Sequence, residues 1–120
     1  MNKKVLVADY DERIRDIVCV YLEADGFTVY QAEDGDETLE LVGKDKPDLV
    51  IIDLVIAKLD AWAVFKTLKQ EAKIPLIMLT GKGEENDRVL IFDLGADDYV
   101  EKPFKPRELI TRIKTVLRRQ

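Results

Sequence analysis

Residues 47–53 read PDLVIID: a proline and an acid, four aliphatic residues in a row, and a closing acid. A half-buried strand would alternate apolar and polar residues, because successive side chains point to opposite faces. This run is apolar on both faces and too short for a core helix. It therefore predicts a central strand of a parallel sheet with helices covering both sides. Asp53, which closes the run, then lies at a C-terminal strand end, the edge at which open α/β sheets bind ligands.

On the N-terminal side of that strand, KVLVA (Lys4–Ala8) is another β-prone run. Ile14, Ile17, Val18, Tyr21 and Leu22 follow at helical spacing and predict a one-sided helix that stops at Gly26. FTVYQA (residues 27–32) predicts the second strand, and Asp34 the N-cap of a helix carrying Leu39 and Val42. On the C-terminal side, Asp60 predicts the N-cap of a third helix with Trp62, Phe65 and Leu68. IPLIMLT (residues 74–80) predicts the fourth strand, ending at Thr80. GEENDRVLIFDLG (residues 83–95) predicts helix 4, closed by Gly95, and DDYVEK (residues 97–102) predicts strand 5. Pro106 suits the first turn of helix 5, which carries Leu109, Ile110, Ile113, Val116 and Leu117. Strands alternating with helices, without long linkers or repeats, predict one α/β domain over residues 1–120 with helices on both faces of a parallel sheet.

The 120 residues suit a single domain, and 47% apolar content supports a core. A net charge of −5 disfavours direct nucleic-acid binding, because phosphates attract Lys and Arg. No apolar run approaches the roughly 20 residues that span a bilayer, and MNKK leads into no signal-peptide pattern. Cys19 is the single cysteine, so no internal disulfide forms. A cytoplasmic protein without membrane contact is expected. Histidine is absent, which excludes Ser-His-Asp triads, Cys-His pairs, His-ligated zinc and a phosphohistidine carrier.

Carboxylates, hydroxyls and lysines remain, and they collect at one edge. Asp9 follows strand 1, Asp53 ends strand 3, Thr80 ends strand 4 and Lys102 follows strand 5. That set suits phosphoryl transfer to a carboxylate. An Asp can attack phosphorus and form an acyl phosphate, and the charge on the transferred oxygens needs cations and donors around it. Lys102 supplies a point charge, Thr80 a hydroxyl, and Mg²⁺ would cover the remaining side with oxygen ligands. Taken singly, each residue has an ordinary reading: Asp9 and Asp53 as caps, Thr80 as a strand-end threonine, Lys102 as a solvated lysine. Their convergence on one edge favours the joint reading.

These stretches resemble the receiver domain of two-component response regulators, most closely the transcription-factor subfamily with a winged-helix DNA-binding domain. VLVADYDERIR, PDLVIIDL, IPLIMLTGKGEENDRV and LGADDYVEKPF carry the resemblance, which runs over residues 4–119. It implies a flavodoxin-like sheet of order 2-1-3-4-5 and a cis peptide between Lys102 and Pro103. It further implies Asp53 as phosphoacceptor, Thr80 and Tyr99 as switch residues and Lys102 as the phosphate contact. Asp9, Asp53 and the backbone carbonyl of Val55 would be the metal ligands. The partner it implies is a sensor histidine kinase, with DNA reached only through a C-terminal domain not in this chain. It also implies a twofold homodimer through helix 4, strand 5 and helix 5. On that face lie Arg88, Asp93, Asp97, Asp98, Glu108, Arg112, Lys114 and Arg119, with Ile91 or Phe92 and Val116 as its apolar patch. Asp98 is expected opposite Arg112, and Arg88 opposite Glu108, across the twofold.

Two departures stand out. The family's acidic pair after strand 1 reads Asp9 followed by Tyr10, so the acid that touches the metal directly is replaced by a phenol, a poor Mg²⁺ ligand at neutral pH. Weak Mg²⁺ binding is expected unless Asp11 swings in or Asp9 binds directly. The loop after Asp53, VIAKLDAW, lacks the family's usual Pro-Gly and later Gly and predicts a different turn. The alternative to a phosphorylation switch is a degenerate receiver that acts as a phosphate-independent interaction module. An Asp-nucleophile hydrolase is disfavoured, because Val55 stands where such enzymes carry a second Asp. Cys19, Trp62 and the methionines are read as surface or core filling.

Overall fold

The computed structural model describes residues 2–81 and 87–120. Along the chain run β1 (Lys4–Ala8), α1 (Glu12–Ala24), β2 (Thr28–Ala32), α2 (Gly35–Asp45), β3 (Leu49–Asp53), α3 (Leu54–Leu59) and α4 (Ala61–Val64). A π-helical stretch (Phe65–Glu71), β4 (Leu76–Thr80), α5 (Arg88–Asp93), β5 (Asp98–Glu101) and α6 (Pro106–Arg118) follow. The strands form one five-stranded parallel sheet of order β2-β1-β3-β4-β5, the flavodoxin-like order the resemblance implied.

The strand alternation splits the core in two. Leu6, Ala8, Val50, Ile52, Leu76 and Met78 face one side, where they pack with Val42, Ile56, Leu68 and Ile91. Val5, Val7, Leu49, Ile51, Ile77 and Leu79 face the other, under Val18, Leu22, Leu109 and Ile113. β3 is buried along its whole length, as its unbroken apolar run predicted. Each such Leu or Ile contributes about 1.5–3 kcal/mol of transfer free energy, and this burial dominates the stability.

Acids start several of the helices. Asp11 accepts the Arg13 N–H (2.9 Å), Asp34 that of Glu37 (2.8 Å) and Asp60 that of Ala63 (3.2 Å). Glu37 reciprocates by accepting the Glu33 N–H at 2.9 Å. These bonds satisfy orphan donors of the first turns. Gly26 and Gly95 have φ of 94° and 82°, the left-handed conformation expected of helix-ending glycines.

Several boundaries differ from the sequence expectation. The predicted third helix begins earlier, since α3 follows β3 with no loop. It is also broken at Asp60 and runs into the π-helical stretch, so α5 and α6 correspond to predicted helices 4 and 5. The start of predicted helix 4 lies outside the described residues. On α1, Val18 and Leu22 are buried while Ile17 and Tyr21 stay exposed. The apolar stripe is wider than the strip facing the sheet, because α6 covers the rest of that face.

One polar cluster ties four segments together. Lys69 Nζ donates to the Ile74 carbonyl (3.0 Å) and to Asp97 Oδ2 (3.0 Å), and the same oxygen accepts the Leu76 N–H at 2.8 Å. The Lys69 stem crosses Gly95, where an added Cβ would meet Cγ at 2.8 Å. Asp97→Ala should cost about 1–3 kcal/mol in urea unfolding, because it strands a backbone donor and an ammonium. Asp97→Asn, which keeps an acceptor, should lose less. Equal losses for the two variants would show that the hydrogen bond to Leu76 is unimportant.

Candidate functional site

The β1–β3 register sets Ala8 beside Ile52, so Asp9 and Asp53 leave the sheet side by side. Asp9 is 2% and Asp53 7% exposed. Two buried like charges need a cation, and Lys102 supplies it: its Nζ lies 2.7 Å from Asp9 Oδ2 and 2.7 Å from Asp53 Oδ1. The Asp53 contact is a directed hydrogen bond. The Asp9 contact is an off-line ion pair, which leaves Asp9 Oδ2 without a directed hydrogen bond. The other two oxygens receive backbone donors: Asp9 Oδ1 accepts the Asp11 N–H (2.8 Å) and Asp53 Oδ2 the Val55 N–H (2.9 Å). Asp53 is thus also the N-cap of α3.

Lys102 reaches the pair from beyond β5. Its N–H donates to the Thr80 carbonyl at 2.6 Å, and the peptide that follows it, to Pro103, is cis, as implied. Burial alone would push its ammonium down, but the contacts with the Asp53 and then the Asp9 carboxylate outweigh it and hold Lys102 above its ordinary value. A raised folded value stabilises the protein fully below the unfolded value of about 10.4. That contribution is lost only as pH rises through the folded value. Thr80 is buried at the same edge, on the strand between Asp53 and Lys102. Tyr99 packs edge-on against Phe92 with ring centroids 6.3 Å apart.

The turn after β1 is held from several sides. Arg15 Nη1 donates to the carbonyls of Asp9 (2.7 Å) and Tyr10 (3.3 Å), and its Nε to Gln31 Oε1 (3.2 Å). The Asp11 carboxylate is engaged as the α1 cap, and the backbone N–H of Arg13 holds it below its ordinary value. Asp11 is therefore not aimed at the pocket. Tyr10 is 49% exposed. Arg15 and Lys69 carry no sequence signal, since each joins a nearby backbone carbonyl to a side chain far along the chain, Gln31 and Asp97 respectively.

The resemblance implies Mg²⁺, and the donor set present does not fit it. Among the described residues no group of three carboxylate, Cys or His ligands is gathered. Val55 presents its N–H to Asp53. Its carbonyl belongs to a helical turn and points toward the C-terminal end of α3. Three of the four carboxylate oxygens hold directed hydrogen bonds, and the fourth pairs with Lys102.

Within one chain, the residues of the expected dimer face have the following partners. Arg112 pairs with Asp98 (2.9 Å) and Glu108 (3.6 Å) of its own chain, where the sequence had set Asp98 and Arg112 across a twofold. The hydrogen bond to Asp98 holds the guanidinium above its ordinary value. Lys114 pairs with Asp25 at the end of α1 (2.6 Å), and Asp97 belongs to the Lys69 cluster. Ile91 and Val116 are buried in the core, so Phe92, with Val89, is the exposed apolar element of that face. Arg88, Asp93 and Arg119 are exposed.

A family model described as the response regulator receiver domain matches residues 5–114. The chain is 48% identical over 120 residues to the alkaline phosphatase synthesis transcriptional regulatory protein PhoP of Bacillus subtilis, covering 99% of this chain and 50% of that protein. It is 40% identical over 119 residues to the transcriptional regulatory protein SrrA of Staphylococcus aureus, covering 99% and 49%. It thus spans about half the length of these relatives. The receiver domain of the Francisella response regulator 1452 superposes with a TM-score of 0.85 at 34% identity, covering 98% of each chain.

The geometry predicts weak Mg²⁺ binding that Tyr10→Asp strengthens. Opposite unit charges about 4 Å apart at an effective dielectric of roughly 20 interact by ~4 kcal/mol. Repulsion among three carboxylates offsets part of this. A net gain of about 1–3 kcal/mol, or roughly tenfold to a hundredfold in affinity, is expected. The metal-free variant should be less stable, and Mg²⁺ should recover that loss by binding the folded state. Trp62 fluorescence titrated with MgCl₂, together with thermal melts, measures both effects. Equal affinity in wild type and variant would mean that Asp9 or Asp11 has replaced the missing ligand.

Proposed function

The chain belongs to the response regulator receiver domain family, and on that footing we propose that Asp53 accepts a phosphoryl group from a sensor histidine kinase. A carboxylate oxygen of Asp53 attacks the phosphorus of the kinase's phosphohistidine. The new P–O bond forms as the P–N bond breaks, and the imidazole leaves with its electron pair. Charge on the transferred oxygens is countered by Lys102 and by the Thr80 hydroxyl. The observation that carries this reading is the Lys102 ammonium 2.7 Å from Asp53 Oδ1 at the C-terminal sheet edge.

Thr80 and Tyr99 are the proposed switch residues, with Tyr99 already in ring contact with Phe92 of α5. Through them phosphorylation changes the α5–β5–α6 face, which then forms a twofold homodimer around Phe92, with Arg88, Asp93, Glu108 and Arg112 near it. Asp97, Asp98, Lys114 and Arg119 complete the charged set of that face. Output on DNA belongs to a C-terminal domain outside this chain, in keeping with relatives named as transcriptional regulators that are about twice as long. No helix among the described residues is long and apolar enough to cross a membrane, and a cytoplasmic protein fits this role. One observation favours the phosphate-independent alternative: the protein's own donors already occupy the Asp9 and Asp53 carboxylates, and Tyr10 brings no further acid to them.

Mass spectrometry after acetyl phosphate treatment, with MgCl₂ present, should show one phosphoryl mass gain in wild type and none in Asp53→Asn. Undiminished labelling of the variant would remove the assignment, and an unlabelled wild type would favour the alternative.

Sedimentation of the phosphorylated protein should show a dimer that Arg112→Glu weakens, because the reversal sets a third acid beside Asp98 and Glu108. Exposed pairs of this kind give only about 0.2–1 kcal/mol each, so a loss of a few-fold to tenfold in dimer affinity is expected. An unchanged dimer would mean that another surface is used.

A further inference from the structure

We propose that the groove between α2 and α3 docks a cationic, partly apolar segment of a partner protein, with the ring of Tyr10 as one wall. The groove encloses about 290 Å³ and is lined by Tyr10, Asp34, Asp36, Ile56, Leu59 and Asp60, among others. Ile56 is buried and forms apolar floor, while Leu59 is 73% exposed and Tyr10 49%. Val55 and Trp62 extend the exposed apolar surface along the same stretch of chain. Neither Asp53 nor Lys102 lines the groove, so the proposal stands apart from the phosphoacceptor reading.

Charge decides the occupant. Three carboxylates line the groove and no lysine or arginine does. Asp34 and Asp60 each commit one oxygen, Oδ1, to a helix N–H, and their Oδ2 atoms make no hydrogen bond among the described residues. Asp36 is exposed and makes no pair among the described residues. Lys58, nearby on α3, is paired with Asp87 at 3.2 Å. An anionic headgroup or nucleic acid is repelled by such a rim, and a guanidinium or ammonium is attracted. The phenol face attracts a cation, and the aliphatic stem of an Arg or Lys can lie along Ile56 and Leu59. The volume suits one such side chain, and an adjacent apolar residue of the partner would cover Leu59. Tyr10, which is lost to metal binding, thereby gains a role on the outside of the same turn.

The test uses a short amphipathic leucine–arginine peptide, capped at both ends, against its leucine–glutamate counterpart. Trp62, the single tryptophan, reports binding by fluorescence, and amide shifts of Gly35 and Leu59 locate it. The arginine peptide should bind and the glutamate peptide should not. Leu59→Ser and Tyr10→Ser should each weaken binding roughly tenfold, the scale of one lost apolar side chain. Asp36→Asn should weaken it by a few-fold, with a shallower salt dependence. Phe92→Ser, on α5, should leave it unchanged. All four substitutions are at exposed sites, and melts verify folding. Binding that Leu59→Ser leaves intact, or that Phe92→Ser weakens as much, overturns the proposal.

Discussion

Two carboxylates delivered to one place by neighbouring strands, and the single ammonium between them, set the terms for the rest of the structure. β1 and β3 are adjacent because the sheet is parallel with β1 and β3 at its centre, and their register makes Asp9 and Asp53 neighbours. Burying both without a counter-charge would cost far more than one ion pair returns. Lys102 meets that need from beyond the fifth strand, where its own N–H is held by the Thr80 carbonyl.

The parts of this arrangement legible in the sequence are those governed by burial. Four aliphatic residues before Asp53 and the four apolar residues Leu76 to Leu79 before Thr80 predict central strands, and the rule that ligands meet the C-terminal edge places Asp9, Asp53, Thr80 and Lys102 together. Caps were readable as well, because Asp34 and Asp60 act within three residues of themselves. What escaped was decided by contacts between distant segments. Ile91 and Val116 have the spacing of a surface patch and of a core stripe alike, and only the packing of α5 and α6 on the sheet chooses. Arg112 has two acids of its own chain within reach, Asp98 and Glu108, a pairing that the sequence alone does not select. The chain after Asp53 lacks glycine and proline, which predicted a different turn; that this turn would be helical from Leu54 depends on Ile56 and Ala57 finding buried positions beneath α2.

The turn that carries Tyr10 takes its shape from the backbone and from other side chains. The backbone of the turn is set by Arg15, by the Asp11 cap and by the Asp11 N–H on Asp9, none of which needs the side chain at position 10. The phenol therefore points to where it is accommodated, partly in solvent, and the negative charge the family keeps there is missing. The remaining balance of two carboxylates against one ammonium is smaller and is largely met by the protein's own donors.

The position of Asp53 has a mechanical side. It ends β3 and caps α3 with no residue between, one oxygen on the Lys102 ammonium and the other on the Val55 N–H in the first turn of the helix. A nucleophile at the tip of a loop can change its bonding while the loop absorbs the displacement. Here there is no slack to take it up. A phosphoryl group on that carboxylate, the step proposed above, would have to disturb the α3 cap or the bond to the far edge of the sheet, so the backbone would register it at two places.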